Sequence, residues 1–240
     1  MGCRVEGLIL KVVVITGASA GIGLAATYKF VSCGYKIVNL SRRPCPNPEV
    51  VSITADLSQH GFFDAIGDEL TSHVEGAEIL HLIHNAARYL HDSALDTSDE
   101  SLTSVFQTNV VAPNTLNRQL LPYMNPGSSI VVVGSTLAEK AVSGCFSYAT
   151  SKHAQVGLMR ALCQDLVGRG IHTLMVCPGF TDTEMLRAHV PDEAMDDVAA
   201  MSAFGRLIEP DEIAETIVWA TENPVLNGSV IHANLGQIEQ

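Results

Sequence analysis

Tyr148 and Lys152 stand four residues apart in Tyr148-Ala149-Thr150-Ser151-Lys152, about one helical turn, which sets both side chains on one helix face. Free tyrosine titrates near ~10. A fixed ammonium beside it favours the phenolate and draws that value toward neutrality, which suits a group that must exchange a proton at physiological pH. The chemistry such a pair supports is proton transfer at a carbonyl or alcohol oxygen. Tyr-x-x-x-Lys also decorates ordinary solvated helices, so the pair gains meaning only beside a cofactor site and a scaffold that presents it.

The amino-terminal part offers such a site. Lys11-Val-Val-Val-Ile-Thr16 reads as a strand, Gly17-Ala18-Ser19-Ala20-Gly21-Ile22-Gly23 as a phosphate loop, and the alanine-rich stretch after it as a helix. Gly17 permits a tight turn, Gly21 lets the backbone approach a pyrophosphate, and Gly23 allows close helix packing. The helix amino terminus adds N–H donors and partial positive charge. A dinucleotide fits there; the plainer reading is a glycine turn with no ligand.

Together these motifs resemble the short, single-domain branch of the short-chain dehydrogenase/reductase family, whose loop is Thr-Gly-x-x-x-Gly-x-Gly and is matched by Thr16 to Gly23 without a gap. The resemblance runs on through Asp56-Leu57, Asn85-Ala86-Ala87, Asn109, Ser135, Tyr148 with Lys152, and Pro178-Gly179-Phe180-Thr181-Asp182-Thr183. It implies an NADP(H)-dependent oxidoreductase reducing a ketone or aldehyde by hydride transfer. In that role Tyr148 is the acid/base, and Lys152 lowers the Tyr148 pKa and bonds the nicotinamide ribose. Ser135 polarises the substrate oxygen, and Asn109 holds a water through its helix backbone, linking Lys152 to solvent. The resemblance also implies cofactor contacts from Gly17, Ser19, Gly21, Ile22 and Gly23 at the phosphates. Asp56 and Leu57 would lie beside the adenine, Asn85, Ala86 and Ala87 behind the adenosine ribose, and Pro178, Gly179, Thr181 and Thr183 around the carboxamide and pyrophosphate. The fourth-strand turn departs from the family's Asn-Asn-Ala-Gly, since Ala87 adds a methyl that would crowd the cofactor or demand another backbone angle.

The end of the second strand, Asn39-Leu40-Ser41-Arg42-Arg43, carries no acid. A carboxylate there would accept from a ribose 2′-hydroxyl and repel a 2′-phosphate. Arg42 and Arg43 offer planar donor forks, with Ser41 as a further donor, so NADP(H) is expected. Ala20 stands where many such relatives have a further basic residue.

The scaffold expected around these groups is an α/β, doubly wound parallel sheet of Rossmann type in one domain spanning the 240 residues. Strand-like runs at 36–40, 50–54, 79–83, 129–133, 172–176 and 229–232 alternate with longer helical segments, and their apolar character suits strands covered on both faces. Residues 44–48 read as a rigid surface loop. His81 and His84 fall on opposite faces of one strand, so no metal site is expected.

A formal net charge of −12 with no basic stripe argues against nucleic acid or anionic membrane as a partner. The six cysteines show no C-x-x-C spacing, and reduced thiols in a cytoplasmic protein are expected. Met1-Gly2-Cys3 glances at an acylation motif, but Glu6 stands where Ser or Thr is wanted. The segment around 184–204 is expected to form the substrate lid, with Met185, Leu186, Val190, Met195, Val198, Met201 and Phe204 as an adaptable apolar wall. The expected substrate is a small carbonyl or alcohol compound, and a homo-oligomer, dimer or tetramer, is implied by the resemblance. Two other readings remain: reduction of a 3-oxoacyl thioester, and a non-catalytic NADP(H)-binding regulator.

Overall fold

Residues 12–15 and 130–132 are fully buried with no alternation, a pattern that suits strands covered on both faces. In the computed structural model, which describes residues 9–237, these runs become central strands. The elements are β1 (Lys11–Thr16), α1 (Gly21–Ser32), β2 (Lys36–Ser41), β3 (Val51–Thr54), α2 (Phe62–Val74), β4 (Ile79–His84) and α3 (Asp99–Phe106). There follow a π-helical turn (Gln107–Val111), α4 (Ala112–Leu120), β5 (Ser129–Val133), α5 (Phe146–Asp165) and β6 (His172–Pro178). α6 (Glu184–His189), α7 (Met195–Ala200), α8 (Pro210–Thr221) and β7 (Val230–Ala233) complete the chain. The acylation motif at 1–3 lies outside the described residues.

The seven strands form one sheet in the order β3-β2-β1-β4-β5-β6-β7, and every pair is parallel. The chain winds outward from β1 to β3, crosses back to β4, then winds the other way. The carboxyl ends of β1 and β4 therefore sit side by side where the winding reverses, and such a crevice is where doubly wound sheets take ligands. One core layer joins the sheet to α2 and α4 through Leu70, Val74, Leu116 and Leu120. The opposite layer joins it to α1 and α8 through Phe30, Ile213 and Ile217.

The expected strands are all present, with small shifts: β3 begins at Val51 and β6 continues to Pro178. The 44–48 loop is anchored rather than free, because Cys45 and Asn47 are buried and the Asn47 Oδ1 accepts from the Glu49 N–H at 3.0 Å. The two histidines of β4 do lie on opposite faces. His81 bonds the Tyr35 hydroxyl (3.2 Å) and Ser129 Oγ (2.8 Å), whereas His84 Nε2 meets Asn117 Oδ1 of α4 at 2.8 Å. Among the described residues no group of three or more His, Cys, Asp or Glu is placed to hold a metal, no described helix is long and apolar enough to cross a membrane, and the five described cysteines are free.

Candidate active site and dinucleotide cleft

The loop from Gly17 to Gly23 leaves β1 at the point of reversal and is shaped by backbone conformations that glycine alone adopts freely, with φ of +75° at Gly17 and +53° at Gly21. A Cβ on Gly23 would lie 2.4 Å from the Gly17 carbonyl oxygen and 2.5 Å from Asn85 Nδ2, so α1 packs against the loop only without a side chain there. Thr16 locks the loop to β4. Its hydroxyl accepts the Asn85 and Ala86 N–H groups at 3.0 Å each, while Asn85 Nδ2 donates to the Thr16 and Gly17 carbonyls at 3.0 and 3.1 Å. From the other side, buried Asn39 of β2 accepts the Ala18 N–H at 3.0 Å. α1 begins with no capping side chain and no acid in its first turn, which leaves its N–H donors and dipole for an anion. These residues fit a dinucleotide pyrophosphate.

The remaining expected cofactor contacts rim the same cleft. Asp56 accepts from the Ser58 hydroxyl (2.7 Å) and N–H (3.1 Å), and this bonding holds its carboxyl below the usual range; Leu57 is buried. Ala87 keeps a negative φ, since Leu235 is the non-glycine residue with positive φ among those described, so its methyl demands no unusual backbone. Gly179 is pressed against Asn234, whose Cα would lie 3.0 Å from an added Cβ, and its N–H donates to Ala233 at 3.1 Å. Thr181 Oγ1 donates to the Gly179 carbonyl at 3.1 Å. Thr183 caps α6 by accepting the Leu186 N–H at 3.3 Å, and its methyl faces the loop, 3.2 Å from where a Cβ on Gly21 would sit. The two arginines diverge: Arg43 reaches across the cleft mouth to Glu184 of α6 at 2.7 Å, whereas Arg42 acts on Asp56 electrostatically.

Ser135, Tyr148 and Lys152 converge beside this cleft. Gly134 lets the chain turn off β5 against β6, where any Cβ would meet Cys177 Sγ and Met175 Sδ at 2.8 Å each. Ser135 follows it, with its hydroxyl accepting the Leu137 N–H at 3.1 Å. Tyr148 lies in the first turn of α5, where Asp92 Oδ1 accepts the Ser147 N–H at 3.1 Å and so caps a helix whose own N-cap, Cys145, supplies no side-chain bond. Lys152 is 1% exposed; its Nζ donates to the Val133 carbonyl at 2.9 Å and lies 5.4 Å from the centre of the Tyr148 ring.

Two expectations need correction. The Tyr148 pKa is raised rather than lowered: burial pushes the phenol up, with a hydrogen bond from Ser135 as the opposing pull. Burial also drives Lys152 down to about 8. Removing both groups from water disfavours both charged forms, and the ammonium is directed at the Val133 carbonyl rather than at the phenol oxygen. Second, the Asn109 backbone carbonyl carries a protein partner of its own. It lies in the π-helical turn and accepts Gln155 Nε2 at 2.6 Å. The Asn109 side chain ties this turn to its surroundings, accepting the Arg88 N–H at 2.7 Å and donating to the Arg88 carbonyl and Ser151 Oγ at 3.0 and 2.9 Å.

Several residues at the site carried no signal in the sequence. Tyr89 packs edge-on against Tyr148 with ring centres 5.1 Å apart, against His189 of α6 at 4.4 Å, and its hydroxyl lies 3.2 Å from Cys145 Sγ. His189 Nδ1 bonds the Met185 carbonyl at 2.8 Å. The segment 184–204 thus folds as α6, a short 3-10 turn and α7, with α6 touching both ends of the cleft. Of the missed residues only Asn39 was visible in principle, as an amide inside an otherwise apolar strand.

A model of the family described as short chain dehydrogenase matches residues 11–194. Carbonyl reductase family member 4 of Xenopus laevis is 27% identical over 234 residues, covering 92% of this chain and 95% of its own. The chloroplastic NADPH-dependent aldehyde reductase 1 of Arabidopsis thaliana is 28% identical over 250 residues, covering 95% of this chain and 86% of its own. The crystal structure of a short chain dehydrogenase family protein from Francisella tularensis superposes with a TM-score of 0.86 at 25% identity, over 95% of this chain and 98% of that one.

Proposed function

The chain belongs to the short-chain dehydrogenase/reductase family of oxidoreductases, and from that membership we propose that it is an NADPH-dependent carbonyl reductase with Tyr148 as its acid/base. The observation that carries this reading is the convergence of Ser135, Tyr148 and Lys152 beside a glycine loop built for a pyrophosphate. The nicotinamide, when bound, supplies the hydride. Ser135 donates a hydrogen bond to the substrate oxygen and builds positive character at the carbonyl carbon. Tyr148 donates its proton to that oxygen, and its raised pKa keeps it in the protonated form that reduction consumes. Lys152 bonds the nicotinamide ribose, and Asn109 ties the π-helical turn to the loop after β4 through Arg88 and to α5 through Ser151.

Arg42 and Arg43, with no acid at the end of β2, support NADP(H) over NAD(H). So do the names of the relatives, one of which is an NADPH-dependent aldehyde reductase. α6 and α7 serve as the substrate lid, and the aromatic contact of Tyr89 with Tyr148 and His189 favours a small hydrophobic ketone or aldehyde. The net charge of −12 disfavours an acidic acyl carrier and hence the 3-oxoacyl thioester reading. The protein works in the cytoplasm as a homo-oligomer in this reading.

The test is NADPH oxidation across a panel of aldehydes, ketones, diketones and 3-oxoacyl thioesters, with NADH and Tyr148→Phe in parallel. Turnover that falls by about 10²–10⁴-fold in the variant is the expected result for loss of a general acid. Cofactor binding without turnover on the whole panel would favour the regulator reading.

A further inference from the structure

Tyr89, in the loop after β4, has its backbone pinned on both sides. Before it, the Asn109 side chain accepts the Arg88 N–H at 2.7 Å and donates to the Arg88 carbonyl at 3.0 Å. After it, the Asp92 N–H donates to the Gly144 carbonyl and the Asp92 carbonyl accepts the Phe146 N–H, at 3.2 Å each. At the tip of the ring the hydroxyl lies 3.2 Å from Cys145 Sγ. A ring held at its base and at its tip is a fixed wall. It meets Tyr148 edge-on with ring centres 5.1 Å apart and His189 at 4.4 Å, so it joins the proposed acid to the helix that crosses the cleft. That helix, α6, buries none of its six residues, and an element with so little buried surface opens easily. Tyr148, which has to touch the substrate oxygen, is 9% exposed.

We propose that Tyr89 is a specificity-determining residue: it is the fixed jaw of a clasp, closed by His189 of α6, that limits the site at Tyr148 to compact carbonyl compounds. The inference rests on the carbonyl-reductase reading and names its substrate class more closely. A substrate oxygen reaches the Tyr148 hydroxyl only if one of the groups enclosing it gives way. α6 can move, because an edge-on aromatic contact such as that of His189 with Tyr89 is worth only about two- to tenfold in an equilibrium. Tyr89 cannot move without breaking the bonds at Arg88 and Asp92. The space left when the clasp opens is therefore set by the Tyr89 ring. An aldehyde or a methyl ketone has one small side to turn toward that ring, whereas a ketone branched on both sides of its carbonyl has none.

Butanone and diisopropyl ketone test the limit. Their Kd values are measured by saturation-transfer NMR on the full chain with NADP+, which has no hydride to give a ketone, so binding is read apart from turnover. The wild-type protein should prefer butanone. Tyr89→Ala should shift the ratio of the two Kd values toward diisopropyl ketone by at least about tenfold, the lower end for one methylene of misfit. Tyr89→Phe keeps the ring and should hold the wild-type ratio within about a factor of two, while His189→Ala should shift it the same way as Tyr89→Ala but less. A merely structural role would weaken both ketones together and leave the ratio alone. Tyr89→Leu replaces the alanine variant if that one fails to fold. A ratio unchanged within about a factor of two in the folded variant, a wild-type protein with no preference, or no binding of either ketone overturns the proposal. The two readings fail separately: ketones that bind but are not reduced with NADPH remove carbonyl reduction and leave the Kd ratio to decide on Tyr89, whereas turnover with an unchanged ratio removes only the clasp.

Discussion

Acidification between pH 7 and 5 should unfold this protein far more readily than its carboxylates alone would allow, because two histidines of β4 are buried in neutral form. His81 is 2% exposed, sits among Phe30 and Tyr35 with ring centres 6.3 and 5.4 Å away, and is pushed down to about 3, chiefly by burial. His84 is equally enclosed on the other face and is pushed down to about 4 by burial, partly offset by Asn117. In the unfolded chain both titrate near ~6.5. The unfolded state therefore binds protons that the folded state refuses, and stability rises with pH: it is fully present above ~6.5 and is lost as pH falls toward the folded values. At pH 5 the cost is about 2 kcal/mol for each histidine and about 4 kcal/mol together, a large part of an ordinary domain's ~5–15 kcal/mol. His172 acts in the same direction through burial. The lowered carboxyls, Asp56, Asp182 and Glu212, lose their contribution only below about pH 4.5, so pH 7 to 5 isolates the histidines. Urea unfolding at matched ionic strength from pH 8 to 5 measures the loss, and His84→Gln, which keeps a donor toward Asn117, should remove about half of the slope. Equal stability at pH 8 and pH 5, or an unaltered slope in His84→Gln, would refute the reasoning.

Gly23→Ala should fold yet bind NADPH at least about tenfold more weakly, because its Cβ collides with the Gly17 carbonyl and Asn85 Nδ2; cofactor fluorescence with circular dichroism as the folding control decides it. Arg43→Ala should weaken NADPH and spare NADH, whereas Glu184→Gln frees the guanidinium of an exposed pair and should tighten NADPH by at most about fivefold, the limit for a pair worth ~0–1 kcal/mol. Equal changes for the two cofactors in either variant would count against a 2′-phosphate role. Asp92→Ala removes the cap of α5 at Ser147 and should cost about 1 kcal/mol, a melting shift of about 2–4 °C at this size; Asp92→Asn, which keeps an acceptor, should recover most of it.

The alternation of apolar strand runs with helical segments pointed to the doubly wound parallel sheet, because runs such as 12–15 and 130–132 suit strands covered by helices on both faces. Spacing likewise determined the phosphate loop, the face shared by Tyr148 and Lys152, and the opposite faces of His81 and His84, since helix and strand periods are local geometry. Tertiary structure decided what those groups do to one another. Whether Lys152 lowers the Tyr148 pKa depends on how much water each retains and where the ammonium points, and burial beside Val133 reversed the expectation. The Asn109 carbonyl took Gln155, 46 residues away, as a partner, and Tyr89 came to rest between Tyr148 and His189. Arg43 closed on Glu184 across the cleft, 141 residues along the chain. Local periodicity carries no information about such partners, because they meet only when separate crossovers of the sheet bring their ends to the same crevice.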